Sequence, residues 1–314
     1  MLRTLTRSFE ADATLLREIR FALRSKRDEQ EREFSHRNSS LRTARNSLTV
    51  DERLATFSPM QIVAAGVTDV GQQREHNEDS FCILPEFDLY IVADGMGGHR
   101  AGDVASRMAT HTIASFFQAT AKEDATWPFH FDPHLTIEEN RLITGIRVAN
   151  KRIYETSSRH REVHGMGTTV VGALVSRERN RMYFAHVGDS RAYRVRNGEI
   201  TQLTRDHSLL NDYLLVMPDL THEQREELPK NVITRALGMQ DSVVVDLVPE
   251  QPRPGDLYML CSDGLSGMIT DEEILALTIA ANGDPRRAAT EMVAMANAHG
   301  GEDNITVVCI QIQE

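Results

Sequence analysis

The sequence predicts an α+β fold in which two antiparallel β-sheets pack face to face and helix pairs cover their outer faces, an α-β-β-α sandwich. From Gln61 onward, short β-rich runs alternate with longer runs of helical periodicity. Asn197-Gly198 joins two of the β-rich runs and favours a type I′ hairpin between antiparallel strands. The helical runs come in pairs, and elements of this kind bury their apolar faces by stacking in layers.

Apolar or alternating runs bounded by turn residues predict the strands. They are Ile62–Val67, Ser80–Leu84, Leu89–Ala93, Thr168–Val175, Arg181–Val187, Ala192–Arg196, Val243–Leu247, Asp256–Cys261 and Ile305–Ile312. Longer runs with an apolar face predict the helices. They are Ala101–Ala119, Ile137–Ser158, Asp271–Ala281 and Arg286–Ala298. Thr270 directly precedes the third helix and is its predicted N-cap.

Residues 1–60 differ in charge from the remainder and predict an N-terminal extension before a single folded domain at 61–314. They carry 12 Lys and Arg against 9 Asp and Glu, a net charge of +3 in a chain whose total is −11. Apolar residues at three- and four-residue steps between Leu2 and Leu23 predict an amphipathic helix. Because acidic and basic residues are mixed on its polar side, docking on the domain at 61–314 or self-association through residues 2–23 is favoured over a membrane surface. The polar segment Ser35–Ser58 is predicted to be a flexible linker.

The composition excludes several function classes. The 314 residues are 26% charged and 40% hydrophobic and contain no apolar run long enough to span a membrane. A net charge of −11 argues against a general nucleic-acid binder. The three cysteines stand far apart with no C-x-x-C pair, which predicts buried reduced thiols and a cytoplasmic protein.

Aspartates stand at the ends of five predicted strands. They are Asp79, Asp94, Asp189, Asp263 and Asp303. In a two-sheet sandwich such strand ends gather at one edge, where clustered carboxylates repel one another unless cations lie among them. Oxygen ligands alone select hard divalent ions, so the cluster predicts Mg²⁺ or Mn²⁺ rather than zinc.

Two such ions can share a water molecule and lower its pKa, which provides a hydroxide nucleophile. A phosphate ester is the natural substrate for a site of this kind, since its oxygens complete the metal coordination. A nearby arginine should then bind the remaining phosphate oxygens in a forked contact, and Arg74 is the best candidate.

An ordered series of motifs runs from about Gln61 to the C-terminus. It comprises Asp69-Val-Gly71, Arg74, Asn77-Glu-Asp79-Ser, Asp94-Gly-Met-Gly-Gly-His99, Gly167-Thr-Thr169, Gly188-Asp-Ser-Arg191, Asn231-Val-Ile-Thr-Arg-Ala-Leu-Gly238, Ser262-Asp-Gly-Leu265 and Asp303-Asn304. The series closely resembles the metal-dependent protein serine/threonine phosphatases, the protein phosphatase 2C family, in their bacterial form. The resemblance implies a central β-sandwich flanked by helix pairs and a centre of two Mn²⁺ or Mg²⁺ ions. It also implies hydrolysis of phosphoserine and phosphothreonine by a metal-bridged hydroxide, with no phosphoenzyme intermediate.

The same resemblance assigns roles to individual residues. Asp94 is expected to bridge both ions, Gly95 to offer a backbone carbonyl, and Asp263 and Asp303 to ligate one ion. Further roles follow for positions around them. Asp79 is expected to bind the ions directly or through water, and Asp189 is expected to bind a third, weaker ion. Arg74 is expected to bind the phosphate, with Glu78 and Asn304 supporting the ligands from behind. The stretch from Asp206 to Lys230 is expected to form a mobile flap.

Two departures from the family pattern matter. Met96 stands where eukaryotic members have a histidine proposed to protonate the leaving group, so the general acid is unassigned. His76 and His99 are nearby in sequence, but a metal-bound water is favoured for this role. The flap also lacks the glycine expected between Leu215 and Leu220. His207, in contrast, is interpreted as a surface or capping residue.

Phosphorylated proteins are the expected substrates, with a cognate serine/threonine kinase as partner. Two alternative functions remain open. One is a phosphate-sensing pseudo-phosphatase, which is disfavoured because every expected aspartate is present. The other is a phosphatase of small phosphorylated metabolites. The charge difference between the extension and the domain also suggests that residues 1–58 modulate catalysis or dimerise the chain.

Overall fold

A computed structural model describes residues 60–97, 101–121, 128–129, 131–221, 225, 228 and 232–313. The predicted N-terminal helix and linker lie outside the described residues. The larger of two compact units contains the described residues up to 208 and again from 233. The segment Leu209–Val232 belongs to the other unit, so each is considered by itself.

The secondary structure closely follows the predicted alternation. The strands are β1 (Ile62–Asp69), β2 (Asp79–Leu84), β3 (Leu89–Met96), β4 (Gly167–Thr168), β5 (Val170–Ser176), β6 (Arg181–Val187), β7 (Arg191–Arg196), β8 (Glu199–Gln202), β9 (Asp246–Glu250), β10 (Leu257–Cys261) and β11 (Ile305–Ile312). The helices are α1 (Ala101–Ala119), α2 (Ile137–Arg159), α3 (Leu209–Val216), α4 (Asp263–Ser266), α5 (Asp271–Ala281) and α6 (Pro285–Ala298).

Two antiparallel sheets form the centre of the larger unit. The first has the strand order β1-β11-β10-β7-β8, and the second has β2-β3-β5-β6-β9 with β4 paired to β3. Tyr90, Phe184, Tyr258 and Ile310 are among the buried side chains packed between the sheets. Two further buried clusters join α1 and α2 to the second sheet and α5 and α6 to the first. The predicted four-layer α-β-β-α sandwich is therefore confirmed.

Local sequence signals define several element ends. Thr270 caps α5 through a capping box in which its side chain accepts from the Glu273 N–H and the Glu273 carboxylate accepts from the Thr270 N–H. Asn197 and Gly198 both have positive φ, as the predicted type I′ hairpin requires. That hairpin adds β8, which the sequence analysis left out as a strand.

Two predicted strands differ from those observed. The strand expected at Val243–Leu247 runs instead over Asp246–Glu250, because its pairing with β6 begins at Asp246 opposite His186. Val243 and Val245 pack against the helix-side cluster without joining the sheet. The strand expected over Thr168–Val175 is interrupted at Thr169, whose N–H donates to the Asp94 carbonyl at 2.8 Å. Helices α3 and α4 were not predicted.

The two ends of the sandwich are held by different chemistry. At the end where β1 and β3 begin, Arg177 makes a forked ion pair with Asp88, both contacts at 2.6 Å, and also donates to the Met60 carbonyl. The strand-end aspartates gather at the opposite end.

All three cysteines are free thiols, with Cys261 and Cys309 buried as predicted and Cys82 half-buried. Over the described residues, no helix combines the length and apolarity that a membrane crossing demands.

Candidate metal centre

The strand register brings the predicted aspartates to one end of the sandwich. Asp79 and Asp94 are opposite each other in the pairing of β2 with β3. Asp263 follows β10 and Asp303 precedes β11, and these two strands are neighbours in the first sheet. Asp189 lies in the connection from β6 to β7, where the chain passes from one sheet to the other. Residues far apart in sequence therefore form one acidic cluster.

The carboxyl groups of this cluster perturb one another. Burial raises the pKa of Asp94 well above its usual value, and the charges of Asp79, Asp263 and Asp189 raise it further. Burial also raises the pKa of Asp79, with added repulsion from Asp263 and Asp303. The pKa of Asp263 is raised by burial and by Asp303, and that of Asp189 is raised to about 7 by burial and then by Asp263. Without a cation, this cluster is expensive to ionise.

Two carboxylate oxygens of the cluster are left without protein partners. Oδ1 of Asp79 and Oδ1 of Asp189 are buried and accept no hydrogen bond from any described residue. Burying an unpaired acceptor costs free energy, so such an atom in a folded protein calls for a ligand. The donor set consists of oxygens, which suit Mn²⁺ or Mg²⁺. These residues thus fit divalent metal ions.

Hydroxyl groups orient the Asp79 carboxylate and the backbone of Asp94. Ser262 Oγ donates to Asp79 Oδ2 at 2.8 Å and accepts from the Thr306 N–H at 2.9 Å. Thr168 Oγ1 donates to the Asp94 carbonyl at 2.8 Å, and Thr169 Oγ1 accepts from the Asp94 N–H at 3.2 Å. These hydroxyls hold both the side chain of Asp79 and the backbone of Asp94 in place.

The sequence analysis assigned no role to these hydroxyl residues. Ser262 and Thr169 stand inside the quoted motifs, so a signal was available for them. Thr306 gave no signal, since it lies within a buried apolar strand.

Gly95 is required by the close approach of three chain segments. A Cβ on Gly95 would lie 2.1 Å from the Gly102 carbonyl oxygen and 2.5 Å from that of Glu78. The Gly95 N–H donates to the same Glu78 carbonyl at 3.1 Å. The backbone after Asp94 is therefore confined between Glu78, which precedes β2, and the first turn of α1, which fixes its direction.

Asn304 organises the loop between β1 and β2. Its Oδ1 accepts from the Glu78 N–H at 2.7 Å, and its Nδ2 donates to the carbonyls of Val70 and His76 at 2.9 Å each. Arg74 lies within this loop. The Glu78 N–H and the Asn304 side chain are thus hydrogen-bonded to each other, while their expected place behind the ligands stays a prediction.

Arg74 contacts the cluster directly. Its Nη2 donates to Asp303 Oδ2 at 2.6 Å, and its Nε donates to the Glu302 carbonyl at 3.3 Å. About half of the Arg74 side chain is exposed, so the guanidinium can reach both the carboxylates and solvent. A phosphate that enters the cluster would meet this cation.

The remaining predicted positions are only partly described. Met96 ends β3 and is half-buried, while His99 and Lys230 lie outside the described residues. Among the residues of the predicted flap, Asp206 forms a forked ion pair with Arg191, with contacts of 2.8 to 3.1 Å. Leu209–Val216 forms helix α3.

A second group of potential ligands lies outside the acidic cluster. His186, His207 and Asp246 place ligand atoms within 4.8 Å of one another. The two imidazole rings are stacked at 4.7 Å with only 9° between their planes. A ligand nitrogen binds an ion in the plane of its ring, so one ion cannot lie in both planes. His207 is buried, which corrects its interpretation as a surface residue.

Comparisons with known proteins converge on one family. A family profile described as Protein phosphatase 2C matches residues 70–303. The serine/threonine phosphatase stp of Listeria welshimeri is 36% identical over 253 residues, covering 78% of this chain and 93% of that protein. The protein phosphatase PhpP of Streptococcus pneumoniae is 36% identical over 258 residues, covering 79% and 96%.

Solved structures give the same result. The serine/threonine phosphatase PstP/Ppp of Mycobacterium tuberculosis superposes with a TM-score of 0.68 at 33% identity, covering 81% of this chain and 99% of that one. A PstP catalytic domain in complex with 2 manganese ions superposes with a TM-score of 0.66 at 33% identity, covering 81% and 100%.

Proposed function

This chain belongs to the protein phosphatase 2C family and is a protein serine/threonine phosphatase, and we propose that it hydrolyses phosphoserine and phosphothreonine esters at a pair of Mn²⁺ or Mg²⁺ ions. The observation that carries the proposal is the cluster of Asp79, Asp94, Asp189 and Asp263. All four have raised pKa values, and two of their buried oxygens lack a protein partner.

The proposed ligands are the residues at the strand ends. Asp94 would bind both ions, Asp263 and Asp303 would bind one of them, and Asp79 would contribute directly or through water. Gly95 would offer its carbonyl, and Asp189 would bind a third, weaker ion. Support comes from the opposed register of Asp79 and Asp94 and from the mutual electrostatic effects of the carboxyl groups.

When bound, a pair of divalent ions lowers the pKa of water and neutralises the charge of a phosphoryl group. The protein's own part is to hold the reactants in position. Arg74 binds the phosphate oxygens with its guanidinium, and Asn304 fixes the loop that carries Arg74. Ser262 keeps Asp79 oriented through a buried hydrogen bond, so little reorganisation accompanies the reaction.

The proposed substrates are phosphorylated proteins, and a serine/threonine kinase is the proposed source of the phosphate. Support comes from the names of the relatives, which are serine/threonine or protein phosphatases. Met96 occupies the position at which eukaryotic members have a histidine, so this chain offers no histidine there to protonate the leaving oxygen.

The test is hydrolysis of p-nitrophenyl phosphate and a phosphothreonine peptide with added Mn²⁺ and with a chelator. Wild type, Asp263→Asn and Asp241→Asn are compared, since Asp241 is an exposed aspartate outside the cluster. We expect turnover that requires Mn²⁺, at least about 100-fold loss in Asp263→Asn, and no loss in the control, because even outer partners of a metal site contribute 10- to 100-fold.

Two results would contradict the proposal. One is equal turnover with chelator. The other is wild-type turnover in folded Asp263→Asn. A phosphorylated metabolite hydrolysed far faster than any phosphopeptide would instead favour a metabolite phosphatase.

A further inference from the structure

The ring of His207 contacts the chain next to Asp189. The backbone N–H of Gly188 donates to the ring Nδ1 of His207 at 3.0 Å. The backbone N–H of His207 donates to the Gly188 carbonyl at 2.9 Å. The two hydrogen bonds form a closed pair between residues 19 positions apart. Gly188 immediately precedes Asp189, so His207 holds the residue from which that carboxylate projects.

The groups around the His207 ring determine which of its two nitrogens carries the proton. Because Nδ1 accepts from Gly188, the ring proton lies on Nε2, which is 3.4 Å from Asp246 Oδ2. Although burial raises the pKa of Asp246, hydrogen bonding to His207 and the charge of Arg235 bring it well below its usual value. Arg235 Nη1 also binds Asp246 Oδ1 at 2.6 Å. Asp246 therefore stays ionised and favours the tautomer that Gly188 requires.

One face of the His207 ring is covered by His186. The two rings stack at 4.7 Å, and His186 Nε2 donates to the Arg205 carbonyl at 2.8 Å. Burial, followed by the influence of His207, lowers the pKa of His186 to about 4, so His186 remains neutral near pH 7. The stacked ring restricts rotation of His207 away from Gly188.

Gly188 transmits this placement to the acidic cluster. It has φ +110°, and a Cβ there would lie 2.6 Å from the Thr169 side chain. Thr169 Oγ1 is in turn 2.6 Å from Ser190 Oγ and accepts from the Asp94 N–H. Asp189 is thus placed between two restrained neighbours, while its own Oδ1 has no partner among the described residues.

We propose that His207 is a positioning residue whose neutral Nε2–H tautomer holds Gly188 and thereby aims the Asp189 carboxylate at the metal centre. The inference rests on the proposed function, because it assumes that Asp189 holds the weaker divalent ion. It concerns the hydrogen bond that the His207 ring accepts from Gly188, not metal ligation by the ring.

Two substitutions separate the ring's hydrogen bond with Gly188 from its contact with Asp246, which lies 3.4 Å from Nε2. In His207→Asn, the amide Oδ1 takes the place of Nδ1 and can still accept from Gly188. In His207→Gln, the amide Nε2 takes the place of the ring Nε2 and can donate to Asp246, but no acceptor faces Gly188. If the role of His207 were purely structural, both variants should lose a similar amount of Mn²⁺ affinity.

Binding of Mn²⁺ to each variant is monitored by electron paramagnetic resonance. The melting temperature of each variant is measured alongside. We expect His207→Gln to bind the weakest ion about 10-fold less tightly, the size of effect typical of outer partners. The tighter ions should be unchanged, and His207→Asn should stay within about twofold of wild type. Wild-type affinity in His207→Gln, or equal weakening in both variants, would overturn the inference.

Two controls separate this inference from the proposed function. Asp189→Asn should remove the weakest ion alone, and its retention would also overturn the inference. Asp263→Asn should remove the tighter ions, and their retention contradicts the proposed function instead.

A measurement on the wild-type protein does not depend on the folding of any variant. By NMR hydrogen exchange, the Gly188 amide should exchange far more slowly than the Gly198 amide in the β7–β8 hairpin. Equal exchange rates would overturn the inference.

Discussion

Arg74 and Asp303 form an ion pair at 2.6 Å between Nη2 and Oδ2, so the residue proposed to bind phosphate is joined to a proposed metal ligand. The contact compensates part of the negative charge of the cluster. The charge of Arg74 also offsets part of the rise in the Asp263 pKa. The Arg74 guanidinium would therefore act in both the proposed metal site and the proposed phosphate site.

Replacing Arg74 should separate these two effects. In Arg74→Ala, we expect KM for a phosphothreonine peptide to rise about 10- to 100-fold, because a charge-assisted hydrogen bond contributes about 1.5–3 kcal/mol. The Mn²⁺ concentration for half-maximal activity should not rise, since removing the cation leaves Asp303 more negative. Steady-state kinetics at varied Mn²⁺ test this, with the exposed Arg286→Ala as control. Unchanged KM would contradict the assigned role.

The metal-free protein should lose stability as the pH rises. The pKa of Asp189 is about 7 in the folded protein, against 3.8 as its ordinary value. Between these values the folded state binds more protons than the unfolded state, so the free energy of unfolding falls with rising pH. Thermal melts in chelator should show the melting temperature decreasing from pH 5 to pH 8.

Mn²⁺ should oppose that decrease, because it binds the ionised carboxylates of the folded state. The difference between melting temperatures with Mn²⁺ and with chelator should therefore grow with pH. A melting temperature that rises over this pH range in chelator would be inconsistent with the raised pKa values.

Gly95 should tolerate no side chain. In Gly95→Ala, the added Cβ would meet the Gly102 carbonyl oxygen at 2.1 Å and displace the backbone after Asp94. We expect loss of activity of about 100-fold and of stability by about 1–3 kcal/mol. Gly172→Ala is the matched control, since Gly172 lies in the same sheet and its Cβ would be 3.6 Å or more from its nearest neighbours. Activity assays and chemical denaturation compare the two, and equal effects would refute the steric argument.

Asn304 should affect substrate binding through the loop that it holds. In Asn304→Ala, three hydrogen bonds are lost, to Glu78, Val70 and His76. We expect the free energy of unfolding to fall by about 1–3 kcal/mol and KM to rise as Arg74 loses its place. Asn304→Asp keeps an acceptor for the Glu78 amide but no donor, so an intermediate effect is expected. A stability loss with unchanged KM would show that the loop does not need Asn304 to place Arg74.

Local signals were sufficient for most of the fold. The period of the apolar residues and the flanking turn residues gave α1, α5, β6 and β11 with the bounds that the structure has. They were insufficient for β9, because the run of valines from Val243 to Val245 reads as a strand, while the sheet register is determined by pairing with β6. Pairing over long sequence separation leaves no local mark.

The same limit applies to the candidate metal centre. The gathering of its aspartates at one end of the sandwich was predictable because each follows or precedes an apolar run, which places it at a strand end. Their supporting partners were not, since Ser262 and Asp79 are 183 positions apart and only the fold brings them together. His207 was misjudged for the same reason, because its partner is the backbone of Gly188 rather than a neighbouring side chain.

The clamp of Arg177 on the Met60 carbonyl has a mechanical consequence. Strand β1 begins beside this clamp and ends at Asp69, which accepts hydrogen bonds from the Gly71 N–H and the Asn297 side chain. Its eight residues span roughly 25 Å. A pull on the chain before Met60 would load β1 in shear along its whole pairing with β11 and would reach the loop of Arg74 last. Tension on the chain before Met60 would then be transmitted along a single strand toward Arg74, the residue proposed to bind phosphate.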